Sequence, residues 1–280
     1  MKIKITADST CDLSKELLEK YDIRTMPLHI INAEDEDFLD GVNIVPKDIF
    51  DYVDTTGNIC HTAALNIEEF ETVFKEELAN NDAVIHISIS SDFSACYQNA
   101  CIAAEVGNVY VVDSRNLSTG GGLIVLAAAE MAQQGIDPAE IKARLDEMTS
   151  KVEASFVIDT LKYLHKGGRC SALVALGANV LSLKPCIEVK DGKMGVGKKY
   201  RGSFDKSIKN YVKDRLTGRD DIDYSRIFIT HCLCSDETVA AVRALVEELG
   251  QFAEILHTEA GCTVSNHCGP NCLGILFVRK

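Results

Sequence analysis

Several things that would assign a function quickly are missing from this chain. No apolar run reaches membrane-spanning length, and MKIKITADS enters an alternating strand directly, without an apolar leader. A cytoplasmic protein with no membrane span is the expectation. The eleven cysteines form no closed disulfide framework, because their number is odd. Cys232-x-Cys234 lacks a second short pair. Cys262, His267, Cys268 and Cys272 do not show the paired spacing of a zinc site, so no metal is expected. Ser118-Thr119-Gly120-Gly121-Gly122 lacks the Gly-Lys-Ser/Thr of a P-loop and the G-x-G-x-x-G spacing. Ser94 is not in a G-x-S-x-G elbow, which counts against a hydrolase. Basic charge is short overall: the net charge of −13 excludes nucleic acid as a partner. Internal repeats and low-complexity segments are absent as well.

What remains is ordinary globular composition, 46% hydrophobic and 25% charged over 280 residues, enough for two domains or one large one. Strand and helix alternate up to about residue 151, which predicts a parallel sheet with crossover helices. The pattern then changes. Cys186 to Lys190 and Met194 to Tyr200 flank Asp191-Gly192, a strong hairpin signal. The expectation is an α/β protein of two domains. An N-terminal α/β domain with a parallel sheet flanked by helices covers 1–152. A C-terminal α+β domain with a largely antiparallel sheet covers 153–280.

More local expectations follow from caps and turns. Residues 24–31 read as one strand, and AEDEDFLDG (33–41) as a solvated acidic loop ending in an Asp40-Gly41 turn. Thr62 falls in a loop before a helix capped by Asn66 with Glu69 three residues on. The last two strands are Ala253 to His257 and Leu273 to Val278.

The stretch Ala83 to Val106, AVIHISISSDFSACYQNACIAAEV, joins a buried strand to a serine-rich loop and a helix start. Helix N-termini carry unpaired N–H groups and partial positive charge, which suit an anion. Ser90 or Ser94 is equally well placed as a simple helix cap. Between Lys190 and Arg219 ten basic residues face three acidic ones, a net +7 that leaves −20 elsewhere. Such a segment is either a solvated helix face or a docking patch for an acidic partner.

The ordered series DST, DLS, MPLHI, FLDG, Thr62 before EEF, SSDFSACYQNA, VVDSRNLSTGGG, YLHKGGR, LSLKP, DG, KYRG and NHCGP resembles the DegV family along essentially the whole chain. The resemblance implies a two-domain, FakB-like fatty-acid-binding protein. Such a protein has no catalysis of its own and holds a long-chain fatty acid while a separate fatty acid kinase phosphorylates the carboxylate. It implies that Thr62, Ser94 and His267 hold the carboxylate, with Arg169 of the GGR motif near it and Arg201 facing the kinase. It also places the lipid site at the domain interface, with no cofactor beyond the bound fatty acid, and leaves transient membrane contact open. The helices Leu123 to Met131 and Ala172 to Leu183 are the candidate walls of an acyl tunnel. This sequence departs from the family at Ala63-Ala64-Leu65-Asn66, where serine, glutamine and proline are missing, at Ala95 and Cys96, and at Asn271. The alternative is a serine-dependent lipid or ester hydrolase using Ser94 and His267, oriented by an acid such as Asp113.

Overall fold

The computed structural model describes residues 1–170 and 183–280. The first half runs β1 (Ile3–Asp8), α1 (Lys15–Lys20), β2 (Ile23–Met26), β3 (His29–Ile31), β4 (Asp37–Leu39), α2 (Pro46–Thr56), β5 (His61–Ala63), α3 (Ile67–Leu78), β6 (Ala83–Ser88), α4 (Cys96–Ala103), β7 (Val109–Asp113), α5 (Thr119–Gln133) and α6 (Pro138–Thr149). The second half runs β8 (Val152–Ile158), α7 (Lys162–Gly167), β9 (Leu183–Lys190), β10 (Lys193–Arg201), α8 (Phe204–Leu216), β11 (Ile222–Cys232), α9 (Asp236–Leu249), β12 (Glu254–Glu259), α10 (Cys262–Cys268) and β13 (Cys272–Arg279).

Four parallel strands in the order β2-β1-β6-β7 make the first sheet. All six residues of β6 are buried, as a central strand covered on both faces by helices requires. The second sheet has the order β10-β9-β8-β13-β11-β12 and is antiparallel except for the parallel β11–β12 pair. Asp191 and Gly192 both take positive φ (51° and 80°), the backbone a two-residue hairpin turn needs.

α5 lies between the sheets, touching β1 and β6 on one side and β8 and β13 on the other. Its sequence, apolar nearly all round, is what a helix with two buried sides demands. One large core spans the facing surfaces of both sheets, and a second lies between the six-stranded sheet and α8 with α9.

Three local expectations are corrected and one element is new. The strand foreseen over 24–31 breaks at Pro27, which has no N–H to pair, and its halves enter different sheets. The acidic loop contains β4, and Asp40 at its end is buried. Thr62 lies in β5 rather than in a loop. Together β4, β3 and β5 form a small antiparallel sheet. Residues 262–268 form helix α10, for which no element was expected; their short, mostly buried, mixed-polarity run carries no amphipathic period.

Candidate functional site

A cavity of about 600 Å³ lies where α10, β5 and the loop between β6 and α4 meet. Thr62, Ser94, Arg169 and His267 all line it, so the structure brings together four side chains that are far apart in sequence. Leu28, Ile89, Leu117, Met194 and Val264 supply apolar wall. The volume lies within the range of small-molecule sites.

Each polar group has a local reason for its place. β5 pairs with β3 so that Thr62 sits opposite Ile30. From there Thr62 Oγ1 reaches 2.9 Å from His267 Nε2, and His267 sits in the last turn of α10. The other ring nitrogen, Nδ1, is buried and has no hydrogen-bond partner among the described residues. Burial first, and the charge of Arg169 second, push the His267 pKa down to about 4, so the imidazole is neutral at physiological pH. With the single ring proton on Nε2, it donates to Thr62, whose own O–H is then free to donate into the cavity.

Close approach by α7 makes this arrangement possible. A Cβ built on Gly167 would lie 2.2 Å from His267 Nδ1, so only glycine fits. Gly168 ends the helix in the left-handed conformation (φ 68°), and Arg169, exposed at the rim, donates from Nη1 to the Gly167 carbonyl at 2.8 Å. The Gly-Gly-Arg motif thus shapes the histidine's seat as well as carrying the arginine.

Ser94 accepts from the Cys96 N–H at 3.2 Å and donates to Cys96 Sγ at 3.2 Å. It therefore serves as a local cap at the start of α4, and its donor rests on a thiol, a weak acceptor that a carboxylate readily replaces. Ser90 does something else. Its hydroxyl donates to the Gly192 carbonyl at 2.8 Å, fastening the β9–β10 turn to the parallel sheet. Asp113 accepts from the Ser91 and Arg115 backbone and lies beside the Arg115 guanidinium, while His267 pairs with Thr62. A Ser94–His267–Asp113 set is not assembled in this geometry.

A second, small cavity of about 30 Å³ shares Leu117, Val264 and Cys268 with the first and is lined also by Phe156, Cys232 and Leu276. Leu123 to Met131 of α5, one expected tunnel wall, pack in the main core and line neither of these two cavities. The other expected wall, residues 172–183, lies outside the described residues except for Leu183, which opens β9. Arg201 is exposed at the end of β10 and takes no part in the cavity. Lys198, Lys199, Lys206, Lys209 and Lys213 are exposed on the same hairpin and on α8. Arg215 and Arg219 leave that basic set: both are partly buried in ion pairs with Glu153, and Arg215 also with Glu188.

The family model for DegV, described as an uncharacterised protein family, matches residues 2–280. The chain belongs to the DegV family. A DegV domain-containing protein of Clostridium perfringens is 34% identical over 285 residues, covering 100% of this chain and 99% of the relative. Among solved structures, a DegV lipid-binding protein from Thermotoga maritima superposes with a TM-score of 0.87 at 25% identity over the whole of both chains. A DegV family protein from Thermus thermophilus, described as binding fatty acid, does so at 0.87 with 29% identity, again over both chains in full. The DegV fold therefore accounts for the whole of this chain's architecture.

Two carboxylates beneath α10, Asp12 and Asp40, were not found by sequence reasoning as part of this region. Among acidic neighbours in FLDG, Asp40 looked solvated. The one available signal was its place beside a turn within a family motif.

Proposed function

We propose that this DegV-family protein holds a long-chain fatty acid, with the carboxylate received by Thr62, Ser94 and Arg169 and with His267 holding Thr62 in place. The observation that carries the reading is the convergence of those four side chains on one cavity that also has apolar walls. Related proteins of the same fold are described as lipid- or fatty-acid-binding, which supports it.

The chemistry divides between head and tail. Two hydroxyls and a guanidinium donate to the carboxylate, and the α4 N-terminus adds about 0.3–1 kcal/mol of favourable field. The neutral His267 orients Thr62 without contributing charge. An acyl tail gains about 0.8 kcal/mol per buried CH₂, so over a dozen methylenes the tail outweighs the head in affinity. The head groups set orientation. Exposed residues at the rim, Ala95, Gln98 and Arg169, leave that end of the cavity open to a partner.

In this reading the protein is a cytoplasmic carrier without catalysis of its own, and it presents the carboxylate to a separate fatty acid kinase for acyl-phosphate formation. The exposed cations around Arg201 form the docking face. The site lies at the seam of two domains, 1–152 and 153–280: Thr62 and Ser94 come from the first, Arg169, Met194 and His267 from the second.

The test compares hexadecanoate with hexadecanol on the wild type and on a Thr62→Ala/Ser94→Ala double variant. The acid should lose at least tenfold in affinity while the alcohol stays nearly unchanged. Equal losses for both would remove the assignment of a carboxylate site.

A further inference from the structure

Two buried carboxylates from separate parts of the chain meet at the N-terminus of α10. Asp40, next after β4, accepts from the Cys262 N–H at 2.7 Å and from the Thr263 N–H at 3.1 Å. Asp12 accepts from the Gly261 N–H at 2.8 Å, and Ser118 Oγ lies 2.5 Å from its other oxygen. A Cβ on Gly261 would sit 3.1 Å from Asp12 and 3.2 Å from Asp40, so glycine lets both carboxylates close in.

We propose that Asp40 is a positioning residue for head-group binding: holding the start of α10 against the three-stranded sheet, it sets the approach of His267 to Thr62 at the helix's other end. This rests on the fatty-acid reading given above.

The geometry behind it is a jig. α10 has seven residues, too few to be stable without tertiary partners, so its place is set by what grips its ends. β4 and β5 flank β3, with Leu39 opposite His29 and Thr62 opposite Ile30. One small sheet therefore carries both the carboxylate that holds the first turn of α10 and the hydroxyl that meets its last. Asp40 is itself fixed, its N–H donating to Leu28 O at 2.9 Å and Ser9 Oγ donating to its carboxylate at 3.0 Å.

Asn266, donating to Cys60 O at 2.8 Å, and the Cys262 thiol, donating to Ile44 O at 3.2 Å, also tie α10 down. Those are single neutral bonds. Hydrogen bonds to a carboxylate are roughly twice as strong, and Asp40 accepts two from α10. A slip of one residue along the helix axis, about 1.5 Å, carries the ring out of hydrogen-bond reach of Thr62.

Asp12 plays a different part. Burial first pushes its pKa up to about 8, so at neutral pH it is protonated beside Asp40. An asparagine there is close to isoelectronic with the group already present.

The experiment uses Asp40→Asn in the full chain, with Asp12→Asn as control, at pH 7. Hexadecanoate and hexadecanol affinities and the ¹⁵N signals of the His267 ring are recorded for each. For Asp40→Asn, hexadecanoate should weaken roughly tenfold, hexadecanol should stay within about twofold, and the hydrogen-bonded Nε2 signal should shift; Asp12→Asn should change none of these. Parallel loss of acid and alcohol, or an unshifted ring signal, overturns the proposal and leaves Asp40 a purely structural cap. Should Asp40→Asn fail to fold, Ser9→Ala loosens Asp40 more gently and should shift the ring signal and weaken the acid by about twofold. An unchanged ring in that variant overturns it equally. If the wild type binds neither ligand, the fatty-acid reading falls and this inference with it, whereas binding with an insensitive Asp40 variant removes the inference alone.

Discussion

Replacing Gly167 by alanine tests the seat of His267 against an opposite expectation from helix propensity. Gly167 is the last residue of α7, and its φ is not among the positive values, so the backbone accepts alanine without strain. On propensity alone the change stabilises by up to about 1 kcal/mol. The structure predicts the reverse. The new Cβ would fall 2.2 Å from His267 Nδ1, and real Cβ contacts essentially never come below 3.0 Å. The ring must therefore retreat by about 0.8 Å in a close-packed setting, at about 1–3 kcal/mol. Retreat along the line of contact drives Nε2 into Thr62 and compresses the 2.9 Å bond, so the ring must swing aside and the bond loses its alignment. Urea unfolding should show net destabilisation, and hexadecanoate affinity should fall about tenfold while hexadecanol affinity holds. A Gly167→Ala protein that is more stable than wild type and binds the acid normally would refute the account of this seat.

Other expectations follow from the same site. Thr62→Val leaves both nitrogens of the His267 ring without a partner among the described residues and should cost about 1–3 kcal/mol in denaturant unfolding as well as weakening the acid. His267 has a folded pKa near 4, below its unfolded value, so it is neutral in the fold. Its contribution to stability is present above about pH 6.5 and is lost as pH falls toward 4; His267→Gln should flatten the unfolding-versus-pH curve in that window. Asp12 has the opposite sign: its folded pKa, near 8, lies above the unfolded one. It therefore costs stability as pH rises from about 4 to 8, and Asp12→Asn should gain relative stability toward pH 8, read by thermal melts across that range. Arg201→Glu should leave lipid content unchanged and impair phosphorylation of the bound acid by a kinase partner; an emptied cavity would instead put Arg201 in the lipid site.

The elements with strong periodicity were legible from residues alone: the parallel sheet, the buried helix α5 and the Asp191-Gly192 hairpin each have a pattern set by burial or by turn geometry. The small sheet β4-β3-β5 was not. Its three-residue strands are too short to show alternation, and its acidic composition reads as solvent-facing until Asp40 is seen to point inward at backbone N–H groups. α10 was missed for a related reason: seven largely buried residues leave no polar face to reveal a 3.6-residue period. As for the site, Thr62, Ser94, Arg169 and His267 were named from motif resemblance, and the structure adds that they share one cavity. That His267 is fixed by Thr62 on one side and seated against Gly167 on the other depends on tertiary distances that no local pattern encodes. The basic segment also changed, because Arg215 and Arg219 neutralise Glu153 and Glu188 and do not present themselves to a partner.

The most direct measurement of the central claim is mass spectrometry of the lipid released on denaturing protein purified from bacterial cells. The account predicts a long-chain fatty acid in near-stoichiometric amount, displaced by added hexadecanoate and depleted in the Thr62→Ala/Ser94→Ala variant. A protein that is uniformly empty, and that also fails to take up added fatty acid, would contradict it.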